Sequence, residues 1–95
     1  MRIAAQERIA RQTYRTYSKS VDIEFDPAKD AANREEHGVA LSEAESLEWD
    51  TLVSEPDSRH KYGEERFVGY ALRGDRVYCV VFTDRADARR IISLR

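Results

Sequence analysis

Hydrophobic and polar positions alternate most clearly in the last third of the chain. Residues 65–73 and 76–83 show the period of two that is typical of strands, and the second segment is rich in Val, Tyr and Phe. Gly74-Asp75 between them is typical of a two-residue hairpin turn. A polar turn then precedes a third candidate strand at 89–95. The pattern therefore predicts an antiparallel meander of three strands.

A strand followed by a helix is predicted upstream of the meander. Residues 21–25 alternate apolar and acidic side chains, which indicates a half-buried strand. Asp26 can accept hydrogen bonds from the free N–H groups of a helix start, and Pro27 suits the first helical position. Gly38 can adopt the left-handed conformation that ends many helices. Together these signals predict a helix over 27–37.

The segment between this helix and the meander contains a capping-box pattern. Ser42 is the candidate cap, and Glu45 follows three residues later. This pattern predicts a second helix over 43–50, followed by a short strand at 51–55. The polar residues 56–64 are typical of a loop.

The order of these elements predicts an α+β fold, in which a small antiparallel sheet packs with two to three helices. The segments 21–25 and 51–55 are candidates to extend the meander. The third helix is an amphipathic segment over 2–17 with a basic stripe. We therefore expect a basic helical extension over 1–20 and one domain over 21–95.

Length and composition exclude several classes of protein. The chain has 95 residues, of which 41% are hydrophobic and 36% charged, enough for one small core. No apolar run approaches the roughly 20 residues that span a bilayer, so no membrane helix is expected. Cys79 is the single cysteine, which excludes an internal disulfide and a multi-cysteine zinc site. A cytoplasmic location is the expectation.

Charge is distributed very unevenly along the chain. Residues 1–20 carry a net charge of +4, residues 21–58 carry −10, and residues 59–95 carry +4. Eight of the nine bases in the last stretch are arginines. This polarity favours a charged partner, most simply nucleic acid at the Arg-rich end. The alternative is a solvated surface on which the arginines pair with the acidic middle segment.

The residue types of the Arg-rich end suit RNA cleavage without a metal. The sequence has no glycine-rich phosphate loop and no metal-ligand spacing, so neither a cofactor nor a metal site is expected. Guanidinium groups bind phosphate and stabilise its extra transition-state charge, while the RNA supplies its own 2′-hydroxyl as nucleophile. A proton acceptor and a proton donor complete the requirement. The candidates are Arg66, Arg85, Arg89, Arg90 and Arg95 with Glu65, His37 and Tyr62.

Strand alternation predicts which of the last arginines point together. A regular strand over 89–95 places Arg89, Ser93 and Arg95 on one face and Arg90 on the other. We therefore expect two of the last three arginines to share a surface.

Several segments, in order and spacing, resemble the BrnT family over residues 21–95. Glu36 precedes His37 where the family usually has a base, and the family continues past the position of Arg95 into a basic C-terminal helix. The matching segments are Phe25-Asp26, Lys29, Asn33, His37-Gly38-Val39, Ser42, Ala44, Glu65-Arg66 to Gly69, Val80-Val81-Phe82-Thr83 and Arg90-Ile91-Ile92-Ser93-Leu94-Arg95.

The resemblance implies a toxin of a type II toxin–antitoxin pair. Such toxins are endoribonucleases with a RelE-like α+β fold, which arrest growth by cutting RNA. Their antitoxin, BrnA, is a ribbon-helix-helix protein that neutralises the toxin by direct binding, and operator DNA is bound only through the toxin–antitoxin complex.

Together, the resemblance and the Arg-rich end suggest roles for individual residues. We expect Arg66, Arg90 and Arg95 to hold phosphate, and Glu65 or His37 to transfer protons. Further RNA contacts are expected from Arg85, Arg89, Ser93 and Lys29.

Two other functions stay open at this point. One is a non-catalytic module that binds an antitoxin and acts in transcriptional autoregulation. The other is a plain nucleic-acid-binding domain, whose affinity would depend steeply on salt without turnover.

Overall fold

The computed structural model describes residues 21–59 and 63–95, which form five strands and two helices. The amphipathic helix predicted over 2–17 lies outside the described residues. The elements in chain order are β1 (Ile23–Phe25), α1 (Pro27–His37), a 3₁₀ helix (Leu41–Ser46), β2 (Glu48–Pro56), β3 (Phe67–Arg73), β4 (Arg76–Asp84) and β5 (Arg89–Leu94).

The strands form one mixed sheet in the order β1-β5-β4-β3-β2. β2 to β5 are antiparallel neighbours, which confirms the predicted meander and its extension by a preceding strand. β1 joins the other edge and runs parallel to β5, so the prediction of a purely antiparallel sheet is wrong. A parallel neighbour needs a long crossover connection, and the helices and the meander between β1 and β5 provide it. The α+β class is confirmed, and the RelE-like architecture stays a prediction.

α1 begins and ends at the residues that the sequence indicates. The carboxylate of Asp26 accepts a hydrogen bond from the backbone N–H of Ala28 at 2.8 Å, and Pro27 occupies the first turn. Gly38 has a φ of 71°, and its N–H donates to the carbonyl of Arg34 at 2.8 Å. These local signals are sufficient because each acts within one helical turn.

The second helix is shorter than predicted and begins earlier. Its cap is Ala40 rather than Ser42, and the Glu43 carboxylate accepts from the Ala40 N–H at 3.4 Å. The N–H of Leu41 donates to the Asp30 carboxylate at 2.8 Å, so α1 supplies a partner that the local pattern does not reveal.

The predicted end of this helix is also wrong. The sequence pattern extends the helix over 43–50, whereas β2 begins at Glu48 and includes Trp49. Pairing explains the change, because Glu48 lies opposite Leu72 of β3 and its carboxylate accepts from the N–H of Gly74 at 2.7 Å. The strand predicted at 51–55 is therefore longer at both ends.

The hydrophobic core lies between one face of the sheet and the 3₁₀ helix. Trp49 packs edge-on against Phe82, and its indole N–H donates to the carbonyl of Ala44 at 3.1 Å. The central residues of the core are Leu41, Ala44, Leu47, Ala71, Val80, Phe82, Ile91 and Leu94.

A bulge in β5 reverses the alternation of its side chains. Ser93 lies opposite Val81 and Ile91 lies opposite Phe82, so Ile92 is an extra residue on β5. As a result Ile91 and Leu94 are both buried in the core, although they are three positions apart. Faces predicted from regular alternation are therefore wrong beyond Ile91.

Candidate nucleic-acid interface

Three of the five arginines of interest, Arg66, Arg90 and Arg95, lie on the sheet face opposite the 3₁₀ helix. We call this surface the open face. Because directly paired residues point to the same side of a sheet, the strand register defines its members. They include Glu24, Val53, Glu55, Asp57, Arg66, Val68, Tyr70, Cys79, Val81, Thr83, Arg90, Ser93 and Arg95, of which Asp57, Val81 and Thr83 are buried.

A row of polar residues crosses one end of the open face. If the register of β3 and β4 is continued by one residue, Arg66 lies beside Thr83. Thr83 lies opposite Arg90 of β5. Arg90 in turn pairs with Glu24 of β1. The backbone N–H of Asp57 donates to the carbonyl of Arg66 at 2.7 Å and continues the row. Adjacent strands are about 4.8 Å apart, which puts the backbones of Arg66 and Arg90 about 10 Å from each other.

Carboxylates accompany both arginines of this row. The Arg90 Nε lies 2.9 Å from the Glu24 carboxylate, and both side chains are partly exposed. The Arg66 Nε lies 3.8 Å from the Glu64 carboxylate. The Arg90 contact is a hydrogen-bonded ion pair near the surface, whereas the Arg66 contact is too long for a hydrogen bond and the Arg66 side chain is only 21% exposed. A phosphate would therefore compete with a carboxylate chiefly at Arg90.

Arg95 lies at the other end of the open face. Its backbone exchanges two hydrogen bonds with Cys79 of β4, at 2.6 and 2.9 Å. Its guanidinium Nη2 lies 3.9 Å from the Cys79 sulfur, and it forms no ion pair with a carboxylate of the described residues. The extended chain of β5 separates Arg90 from Arg95 by about 15 Å.

Arg95 lines two surface clefts. One has a volume of about 360 Å³ and contains His37, Arg76 and Tyr78. The other has a volume of about 430 Å³ and contains Arg59 together with Tyr70 and Cys79. Arg95 is thus close both to an imidazole and to an exposed aromatic ring.

His37 is the proton-transfer candidate at this end of the site. It is the last residue of α1, and its Nε2 lies 3.6 Å from the Glu36 carboxylate. The side chain is partly exposed and faces the cleft that it shares with Arg95. An imidazole beside a free guanidinium is a suitable arrangement for transferring a proton at a bound phosphate.

Glu65 is the candidate at the opposite end, next to Arg66. Its backbone carbonyl accepts a hydrogen bond from the Thr83 hydroxyl at 2.6 Å, and the residue is exposed. Glu65 therefore lies at the Arg66 end of the sheet, whereas His37 lies beside Arg95 in a cleft that core-side residues such as Tyr78 also line. Tyr62 lies outside the described residues.

Three of the predicted RNA-binding residues lie elsewhere. Arg89 points to the core side of the sheet, where it stacks over the Phe82 ring at 4.3 Å and pairs with Asp84 at 2.7 Å. The bulge at Ile92 moves Ser93 and Arg95 to the face of Arg90, so that Arg89 no longer shares a face with them. The expectation that Arg89 shares a face with Ser93 and Arg95 is therefore wrong. Arg85 pairs with Glu64 at 3.3 Å in the turn before β5, and Lys29 is exposed on α1.

The sequence reasoning missed two residues of the open face. Tyr70 is exposed at its centre, and Asp57 is buried beside Arg66 in a bidentate pair with Arg59, with both contacts at 2.8 Å. The alternation of β3 could have indicated Tyr70, since a strand aromatic on the non-core side is a surface feature. Asp57 gives no local signal.

Across residues 21–59 and 63–95, no group of His, Cys, Asp or Glu side chains is arranged to hold a metal ion. None of the helices in that part of the chain has the length and apolar character needed to cross a membrane.

The chain is a small α+β domain in which arginines from two segments lie on one face of the sheet. Residues 25–95 match the family described as ribonuclease toxin, BrnT, of type II toxin–antitoxin systems. Since the match covers most of the chain, the protein belongs to the BrnT toxin family. No curated protein matches the chain. Family membership implies an antitoxin partner.

Proposed function

We propose that this protein is an endoribonuclease toxin that cuts RNA on the open face without a metal, in the cytoplasm. The observation that carries the proposal is the placement of Arg66, Arg90 and Arg95 on one side of the sheet. They come from two separate segments of the chain, and the 3₁₀ helix covers the other side. Guanidinium groups spaced in this way can contact different phosphates of one RNA strand.

The proposed reaction is an internal transesterification. The RNA 2′-oxygen attacks the adjacent phosphorus, and the bond from phosphorus to the 5′-oxygen breaks. His37 or Glu65 accepts the proton of the 2′-hydroxyl, and a water molecule at the same site donates a proton to the leaving oxygen. The products are a 2′,3′-cyclic phosphate and a 5′-hydroxyl. The arginines stabilise the additional negative charge of the transition state.

His37 and Glu65 are the proposed proton-transfer residues, and their separation makes their roles testable. If the scissile phosphate lies beside Arg95, His37 is the group within reach, because the two share a cleft. If it lies beside Arg66, Glu65 is the group within reach. A larger loss of cleavage in His37→Gln than in Glu65→Gln assigns the scissile phosphate to the Arg95 end, and the reverse assigns it to the Arg66 end.

The proposal includes the RelE-like architecture and the type of antitoxin. We propose a BrnA-like ribbon-helix-helix antitoxin, with operator DNA bound only through the complex. The family supports an antitoxin in general. The ion pairs of Arg66 and Arg90 also suit a partner that presents carboxylates, because such groups could take the places of Glu64 and Glu24.

These same ion pairs favour the second candidate function, a non-catalytic module that binds the antitoxin. In that case the arginines bind acidic side chains of the partner rather than RNA. Overexpression separates the two functions, because the module would bind a ribbon-helix-helix protein without arresting growth.

The chemistry of the products tests the proposal. We expect purified protein to cleave single-stranded RNA in excess EDTA and to leave cyclic phosphate ends. A substrate with 2′-deoxyribose at the cleaved position should stay intact. Cleavage that requires added metal, or that leaves a 5′-phosphate, contradicts the proposed mechanism. A folded protein that cleaves no RNA supports the non-catalytic module.

A further inference from the structure

Tyr70 is an exposed aromatic residue at the centre of the open face. It lies in the middle of β3, and 57% of its surface is accessible to solvent. Exposing the apolar surface of an aromatic ring to water costs free energy that burial of the ring would recover. Neither the core nor the ion pairs of the described residues use this ring.

The neighbours of Tyr70 across the sheet are Val53 of β2 and Cys79 of β4. Cys79 lies one strand spacing from Tyr70, and the Arg95 guanidinium lies 3.9 Å from the Cys79 sulfur. Among the described residues no carboxylate forms an ion pair with Arg95, although Glu55 and Asp57 line the same cleft. An exposed aromatic face and this guanidinium therefore lie near each other on the same surface.

Open space is available over the ring. Tyr70 lines the cleft of about 430 Å³ that contains Arg95 and Arg59. It also lines a neighbouring cleft of about 290 Å³, together with Val53 and Val68. Glu55 lines both clefts and Asp57 lines the larger one, so carboxylates lie on the β2 side of the ring and Arg95 on the β4 side. The two spaces meet at Tyr70, so a flat group can lie on the ring while an attached anion reaches Arg95.

We propose that Tyr70 is a stacking platform for one RNA base, and that Arg95 binds the phosphate next to that base. This inference rests on the proposed function and adds a base subsite to it. Stacking of bases on aromatic side chains is a common means of binding single-stranded RNA, and it tolerates any base because every base has a flat face. The subsite therefore strengthens binding more than it selects sequence.

The test is the affinity of the full chain for a fluorescein-labelled single-stranded RNA in which every ribose carries a 2′-O-methyl group, so that binding is measured without cleavage. Fluorescence anisotropy is recorded over a range of salt concentrations. The variants are Tyr70→Ala, Tyr70→Phe and Ser46→Ala. Ser46 is the control, since it is an exposed, uncharged residue of the 3₁₀ helix on the other side of the sheet.

We expect Tyr70→Ala to bind about tenfold more weakly, while Tyr70→Phe and Ser46→Ala stay within twofold of the wild type. The salt dependence of Tyr70→Ala should equal that of the wild type, because no charge is removed. Arg95→Ala should instead lower the salt slope by about 0.7, the contribution of one phosphate contact on a single strand.

Two results overturn the stacking role while leaving the proposed function intact. One is that Tyr70→Ala binds RNA with wild-type affinity. The other is that Tyr70→Phe and Tyr70→Ala lose equal amounts of RNA affinity, which would assign the effect to the hydroxyl. If Tyr70→Ala keeps its RNA affinity but loses the antitoxin, the ring is a protein-binding residue and the inference fails. If the wild type neither binds nor cleaves RNA, the proposed function fails first and the subsite fails with it.

Discussion

The side-chain amide of Asn33 hydrogen-bonds both backbone groups of Leu94, which lies 61 positions further along the chain. Its Nδ2 donates to the Leu94 carbonyl at 2.8 Å, and its Oδ1 accepts from the Leu94 N–H at 3.1 Å. β1 pairs with β5 only as far as Ile91, so the amide takes the place of a strand neighbour beyond the end of β1. Asn33 thereby fixes the end of β5 immediately before Arg95.

Replacing Asn33 should destabilise the fold strongly. Its side chain is buried and also donates to the carbonyl of Val39 at 2.9 Å. Asn33→Ala removes three hydrogen bonds and leaves buried backbone groups without partners, so we expect a loss of about 2–4 kcal/mol in the free energy of unfolding. Urea denaturation measures the loss. Glu35→Ala, an exposed change on the same helix, should stay within about 0.5 kcal/mol of the wild type, and an equal effect of both variants would contradict this role of Asn33.

Removing the carboxylate partner of Arg90 should strengthen RNA binding. Glu24→Gln frees the guanidinium from its ion pair and removes a negative charge from the edge of the open face. We expect a two- to fivefold higher affinity for single-stranded RNA in the anisotropy assay. Because the pair is partly exposed, the free energy of unfolding should change by less than about 1 kcal/mol. Weaker RNA binding by folded Glu24→Gln would show that phosphate does not compete for Arg90.

Parts of this fold were predictable because their signals are local. The caps of α1 and the turn between β3 and β4 depend on residues within one turn of chain, and the structure has them where the sequence indicates. The 3₁₀ helix begins earlier than the sequence predicts, because its first N–H, that of Leu41, donates to the carboxylate of Asp30 in α1. The parallel pairing of β1 depends on residues more than sixty positions away, which no local pattern reveals.

The candidate site shows the same limit more sharply. Arg89 and Arg90 are neighbours in sequence, and alternation correctly places them on opposite sides of the sheet. The faces of Ser93 and Arg95 depend on the bulge at Ile92, which is visible only in the register of β4 against β5. A one-residue shift of that register exchanges the two faces of a strand. The sequence could therefore indicate the residue types of the site, but not which arginines share a surface.

Gly69 should tolerate no side chain because β2 passes close to it. A Cβ at this position would lie 2.6 Å from the Ser54 Cβ and 2.7 Å from the Val53 carbonyl oxygen. We expect Gly69→Ala to destabilise the protein by about 1–3 kcal/mol, as measured by thermal unfolding. Adding Ser54→Gly should recover part of that loss, because it removes the nearest contact. The absence of any recovery would show that the contact with Ser54 is not the cause.

The ion pair between Glu43 and Arg73 should make a small contribution to stability that depends on pH. The hydrogen bond from the Arg73 guanidinium lowers the pKa of Glu43 below its usual value of 4.5. A carboxylate with a lowered pKa in the folded state stabilises the fold above its unfolded pKa, and this stabilisation is lost as the pH falls through the folded value.

Comparison of Glu43→Gln with the wild type measures this contribution. The variant should be slightly less stable at pH 7, and the difference between the two free energies of unfolding should shrink as the pH falls below 4.5. A difference that stays constant down to pH 2.5 would show that the carboxylate charge is not involved.

The central claim is that RNA is cleaved on the open face, and two adjacent arginines test it most directly. Arg90 lies on that face, whereas Arg89 points to the core side and stacks over Phe82. The measurement is the single-turnover rate of RNA cleavage in EDTA by Arg90→Ala and by Arg89→Ala, each normalised to its folded fraction. The account predicts a loss of about a hundredfold or more in Arg90→Ala and a rate within threefold of the wild type in Arg89→Ala. Equal rates in the two variants, or a greater loss in Arg89→Ala, would contradict it.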